Sequence, residues 1–304
     1  MSSDCCRSRR IQFQLLDRRP KVSPMIASGL RRLSLIAITT LSAAPQAMAA
    51  DASPWDGDAR SSVRLIAGKT PAGADKTVRA GVELKLSPGW KTYWRYPGDS
   101  GVPPRFDFSR STNVRSVTVA WPAPHRFTDG PGFSIGYRGG VIFPLQIVPE
   151  DAAKPVDLKL DLQYAICEKV CIPVDAKSEL SLSAGASSQD AAIVAAEAMV
   201  PKPASLNDGR QFTVDSVRRD PTDRKRVIVD MTAPEHFKID LFAEGPSPDW
   251  ALPLPVAIPG TPAGQRRFAF ELDGIPPGTT ADGAVVTLTA VAGNAAIEVK
   301  AALD

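Results

Sequence analysis

The chain of 304 residues reads as all-β: two tandem β-sandwich domains joined by a short helix. Period-2 apolar runs recur along most of its length, as where Leu158, Leu160, Leu162 and Tyr164 alternate with Lys159, Asp161 and Gln163. That alternation is the mark of a half-buried strand. Proline (28) and glycine (22) are plentiful and fall between these runs as turn signals. Helical periodicity is confined to residues 187–200. Many short strands with little helix favour sandwich modules.

The N-terminal end reads as an export leader. Arg31 and Arg32 precede an apolar run at 33–41, followed by Ala47-Met48-Ala49. A basic region, a short apolar region and an A-x-A cleavage site are the parts of a secretory signal. Residues 1–50 are therefore assigned to a signal peptide, with Met25 as its expected start and residues 1–24 as an upstream extension. Cys5 and Cys6 go with the leader, so the exported chain keeps only Cys167 and Cys171. Residues 1–49 also carry eight basic and two acidic groups; without them 28 basic and 31 acidic groups remain, a net charge near −3. The overall basic balance belongs to the leader, which argues against nucleic acid or an anionic lipid surface as partner. The apolar run is shorter than the ~20 residues that span a bilayer, and no stable membrane insertion is expected. A periplasmic protein in an oxidising compartment is the expected product.

Within 51–185, strands are expected at 62–67 and 77–86, then, after Pro88-Gly89, at 90–96. In that third run Trp90, Thr92, Trp94 and Tyr96 share one face, read as core, and Lys91, Tyr93 and Arg95 the other. Residues 97–104 form a turn-rich loop, 114–121 a strand, 122–140 a long loop and 141–148 a strand. A long loop without its own secondary structure is commonly functional, here a cover over a site. Residues 158–182 read as strand, short loop and a less regular return strand, with Cys167 and Cys171 at the bend. Residues 186–204 are a helical linker, capped by Ser187 or Ser188 and stopped by Pro201 and Pro203. A second strand series, with Gly293-Asn294 as a hairpin turn, fills 205–304.

The chemistry narrows by elimination. Two histidines, His125 and His236, lie far apart, and neither a zinc pattern nor a phosphate-binding glycine motif is present. No metal or other cofactor is assigned, although a C-x3-C pair could take a soft ion such as Cu(I). Thiol–disulfide exchange remains, against a structural staple as the bland alternative. A ring this small gives little loop-closure stabilisation, which favours exchange. Lys169 would favour a thiolate and Glu168 oppose it.

The segment 164–173, YAICEKVCIP, together with WPAPHRF, GYRGGVIFPLQI and GWKTYWRYPGDSG upstream, resembles the N-terminal periplasmic domain of the thiol:disulfide interchange protein DsbD and its suppressor-of-copper-sensitivity relatives. The likeness covers about residues 60–183, and its most specific part is Tyr–x2–Cys–x3–Cys–x–Pro. DsbD's own domain has a wider cysteine spacing. The resemblance implies immunoglobulin-like sandwiches and a component of protein-disulfide reduction. It also implies an exchanging Cys171, a resolving Cys167, and shielding by Phe127, Phe133, Tyr137 and Tyr164. A membrane-embedded thiol carrier or a thioredoxin-like domain would supply electrons, and periplasmic disulfide-bond proteins would receive them. The alternatives are a non-catalytic binding module with a structural disulfide, or a copper-handling protein linked to copper tolerance.

Overall fold

A computed structural model describes residues 50–69, 77–99, 101–129, 132–182, 185 and 187–304. The leader read at 1–50, with Cys5 and Cys6, lies outside these residues except for Ala50. The described chain is mostly strand.

The first strands are β1 (Asp56–Gly57), β2 (Ser61–Ala67), β3 (Val78–Leu86), β4 (Lys91–Gly98), β5 (Arg105–Asp107) and β6 (Ser116–Val119). They are followed by β7 (His125–Asp129), β8 (Gly132–Arg138), β9 (Gly140–Val148), β10 (Val156–Cys167) and β11 (Cys171–Leu182). One sheet runs β1-β2-β3-β9-β6; the other runs β11-β10-β4-β8-β7, with β5 also on β10. Apolar residues of both sheets share one core, among them Val82, Leu84, Phe143 and Leu145 from the first and Trp94, Ile135, Leu158 and Leu160 from the second. Each leucine side chain so buried stabilises the fold by roughly 1.5–3 kcal/mol relative to exposure.

The helix α1 (Asp190–Ala198) follows. Neither serine caps it: Gln189 is the N-cap and makes no side-chain capping bond. The Ser187 hydroxyl instead donates to the Ala67 carbonyl and accepts from the Gln189 N–H. Arg79 on β3 pairs with both Asp190 and Glu197, and Ile193 is fully buried, so the helix is fastened to the first sheet.

The remaining strands are β12 (Lys202–Ala204), β13 (Thr213–Arg219), β14 (Arg226–Thr232), β15 (Asp240–Glu244), β16 (Val256–Ile258), β17 (Gln265–Glu271), β18 (Val285–Ala292) and β19 (Ala295–Ala302). They make two four-stranded sheets, β12-β19-β18-β15 and β13-β14-β17-β16, around a second core that includes Val229, Leu241, Trp250, Phe270 and Leu288. Gly293-Asn294 forms the two-residue turn of the β18–β19 hairpin. All four sheets belong to one compact unit.

Two expectations need correction. The segment 122–140 is not a long loop, since β7 and β8 form a hairpin on the edge of the cysteine-bearing sheet. Its glycines hide a period-2 pattern in which Phe133, Ile135 and Tyr137 alternate with Ser134, Gly136 and Arg138. The return strand β11 is also regular, paired with β10 at twelve consecutive positions from Val156↔Leu182 to Cys167↔Cys171.

Candidate functional site

The cysteine pair closes the β10–β11 hairpin. Cys167 and Cys171 are the last register pair, joined as a disulfide with Cα atoms 4.1 Å apart. The three-residue tip Glu168-Lys169-Val170 is exposed, Val170 to 70%. Exposure divides the two sulfur-bearing residues: Cys167 is 8% exposed and buried, whereas Cys171 is exposed.

Strand alternation decides what surrounds them. On β10, Leu162, Tyr164 and Ile166 enter the core, so Ala165 and Cys167 point to the outer face of the sheet. Across that face Cys167 lies opposite Lys91, and Lys91 opposite Arg138. Tyr93, two residues along β4, shares this face and forms a small buried cluster with Ala165 and Cys167. Its hydroxyl lies 3.1 Å from Cys171 Sγ, and the residue is 1% exposed.

Two glycines make room for that tyrosine. Gly136 faces Tyr93 across β4 and β8, where an added Cβ would come within 1.9 Å of the Thr92 carbonyl oxygen and 2.8 Å of Tyr93 Cα. A Cβ at Gly101 would come within 2.5 Å of the Tyr93 ring. Backbone thus approaches the Tyr93 ring at Gly101, and the β4 main chain at Gly136, more closely than any other residue type would allow.

The expected shielding residues divide between the two faces. Phe127 pairs with Ser134 and lies on the disulfide's face, its ring 4.3 Å from the Arg138 guanidinium and 5.9 Å from the Lys91 ammonium. Those are cation–π distances. Phe133 alternates onto the other side, 5.5 Å from the Arg126 guanidinium. Tyr137 and Tyr164 face the core and not the sulfurs. The Tyr137 hydroxyl donates to the Pro122 carbonyl, and its ring lies edge-on to Phe143 at 5.5 Å. Tyr164 shares a 2.9 Å hydrogen bond with Ser61. Burial pushes the Tyr137 phenol well up and the Tyr164 phenol up, the Ser61 bond partly opposing the latter. Tyr93, the residue in contact with Cys171, is marked by the sequence only as part of the non-core face of its strand. A tyrosine on that face beside the redox pair was the available signal.

Among the described residues no cluster of three or more His, Cys, Asp or Glu is arranged to hold a metal ion. No helix among them is long and apolar enough to cross a membrane.

Comparison with known proteins bears on the same segment. Residues 64–183 match the family model for "Thiol:disulfide interchange protein DsbD, N-terminal". No curated protein matches the chain significantly. Among solved structures, the N-terminal periplasmic domain of ScsB from Proteus mirabilis aligns with a TM-score of 0.65 at 20% identity, covering 83% of this chain and 98% of that one. At that identity the likeness speaks for the fold. The match over residues 64–183, cysteine pair included, is a likeness to the DsbD N-terminal family and supports a role related to thiol–disulfide interchange.

Proposed function

We propose that the protein is a periplasmic electron relay whose working group is the Cys167–Cys171 pair. In this reading the chain comprises an immunoglobulin-like sandwich at 51–185, a helical linker at 186–204 and a second such sandwich at 205–304. A membrane-embedded thiol carrier or thioredoxin-like domain reduces the pair, and a periplasmic disulfide protein oxidises it.

The single observation that carries the reading is the unequal exposure of the two cysteines. Thiol–disulfide exchange needs one sulfur within reach of a partner and a second held back to resolve the intermediate. When reduced, the Cys171 thiolate attacks a partner disulfide, forming a Cys171–partner bond and releasing one partner thiolate. The Cys167 thiolate then attacks Cys171 Sγ, reforming the internal disulfide and releasing the partner's second thiolate. Two electrons pass from the pair to the partner. A donor dithiol reverses these steps and recharges the pair.

Neighbouring groups fit these roles. The Tyr93 hydroxyl is within hydrogen-bond reach of Cys171 Sγ, where it would donate to the thiolate. Phe127, held beside Arg138 and Lys91, gives the same face apolar cover. Phe133, Tyr137 and Tyr164 support the sheet from its other side in this scheme.

Covalent trapping tests the assignment. Cys167→Ser should accumulate mixed disulfides with thioredoxin-like partners in periplasmic extract, and Cys171→Ser should form none. Equal trapping by both variants would remove the division of roles, and trapping by neither would remove exchange as the function.

A further inference from the structure

The second pair of sheets grips the strand that carries Tyr93. The ladder between β4 and β10 includes only Lys91 and Thr92. The ladder between β4 and β8 shifts register immediately after Tyr93, so that Tyr93 pairs with Gly136 but the next paired residue on β4 is Gly98, opposite Ser134. Residues 94–97 are therefore outside the register of both neighbouring strands. An extra stretch of this kind bends a strand and re-aims its side chains.

Three consecutive side chains of that stretch are held instead by residues of β15, β19 and the β15–β16 connection. The Trp94 ring packs 5.7 Å from Phe242. Arg95 donates to both oxygens of Glu244, at 2.7 and 2.9 Å, and to Glu298 at 2.5 Å. The Tyr96 hydroxyl donates to the Leu252 carbonyl. Burial by itself would lower the Arg95 pKa, but the bonds and charges of Glu244 and Glu298 outweigh it and the net shift is upward. A partly buried guanidinium held by two carboxylates fixes the direction as well as the position of the backbone that bears it.

We infer that Arg95 is a positioning residue: clasped by Glu244 and Glu298, it holds β4 so that the Tyr93 hydroxyl stays on Cys171, and the second pair of sheets thereby tunes the redox pair. The inference rests on Cys167–Cys171 being the exchanging group. In the dithiol form Tyr93 donates to the Cys171 thiolate, whereas in the disulfide it meets only a weak sulfur acceptor. Tyr93 therefore favours the reduced pair, and anything that loosens it favours the disulfide.

The test is a double-mutant cycle read by equilibration with glutathione, in which the dithiol and one glutathione disulfide exchange for the protein disulfide and two glutathione thiols. Tyr93→Phe should move the equilibrium toward the protein disulfide by roughly two- to tenfold, the range of one net hydrogen bond. Arg95→Gln should move it the same way, and in the Tyr93→Phe background it should add nothing further. Glu298→Gln, which leaves Glu244 in place, should give a smaller shift of the same sign and serves where Arg95→Gln does not fold. An unchanged equilibrium in a folded clasp variant, or an equal shift with Tyr93 absent, would overturn the inference. Glutathione equilibration needs no protein partner, so a failure of partner trapping would leave this result separately readable.

Discussion

At the scale of single residues, the site depends on a tyrosine buried against Ala165 and Cys167. Tyr93 clusters with Ala165 and Cys167 of β10 and lies beside the glycines at 101 and 136, with its hydroxyl at Cys171 Sγ. The close approach at Gly136 is to main-chain atoms, which cannot rotate away as a side chain would. Gly136→Ala is therefore expected to separate β4 from β8 next to Tyr93. Its cost should fall in the range of about 1–3 kcal/mol typical of overpacking, measured by denaturant unfolding. The Cys171 thiol of the reduced variant should also react more slowly with an alkylating reagent at neutral pH, because the donor to its thiolate has moved. Wild-type reactivity in a destabilised Gly136→Ala protein would mean that Tyr93 does not govern the thiolate.

At the scale of elements, the β10–β11 hairpin does not need its disulfide to hold register. Twelve cross-strand pairs and the buried row Val156, Leu158, Leu160 and Leu162 already specify it. A one-residue slip would turn that whole row to the outer face. Closing a ring of five residues is worth only about 2 kcal/mol on the chain-entropy account. Truncating one fully buried leucine typically costs about 2–5 kcal/mol. Reduction of the folded protein is therefore expected to leave its strand circular dichroism unchanged and to lower its stability less than Leu160→Ala does. Loss of strand signal on reduction would instead favour a structural disulfide. An element that stays folded in both redox states is what a carrier requires, since it must cycle between them.

At the scale of the whole molecule, the second pair of sheets carries its own charge network. Burial pushes the Asp230 carboxyl up, but the Arg267 hydrogen bond and charge, with Arg218 behind them, bring it below the usual carboxylate range. A carboxylate with a depressed folded-state pKa binds fewer protons folded than unfolded, so its contribution is present above the unfolded value and is lost as pH falls through the folded one. Asp230→Asn is accordingly expected to be less stable than wild type at neutral pH, by about 1 kcal/mol or less for so exposed a cluster. The gap should narrow in unfolding experiments below about pH 4, the ordinary carboxylate range. A gap that stays constant with pH would assign the loss to packing and not to charge.

The strand pattern was legible because its cause is local. Alternation of Leu158, Leu160, Leu162 and Tyr164 against polar neighbours reports burial of one face, and Gly293-Asn294 reports a turn, whatever lies elsewhere. The cysteine pair and its family resemblance were equally a matter of chain order. The β7–β8 hairpin was not legible, because Gly136 is a glycine on account of Thr92 and Tyr93, more than forty residues earlier in the chain. The pattern predicts Ser187 or Ser188 as the helix cap, but the Ala67 carbonyl lies within reach of the Ser187 hydroxyl and accepts its hydrogen bond. Sequence by itself determined the all-β class, the strand runs and the two sulfurs at a bend. Tertiary structure alone decided which sulfur is open, which tyrosine touches it, and that Arg95 reaches across to Glu244 and Glu298. Those facts are contacts between residues far apart along the chain, and local periodicity carries no information about them.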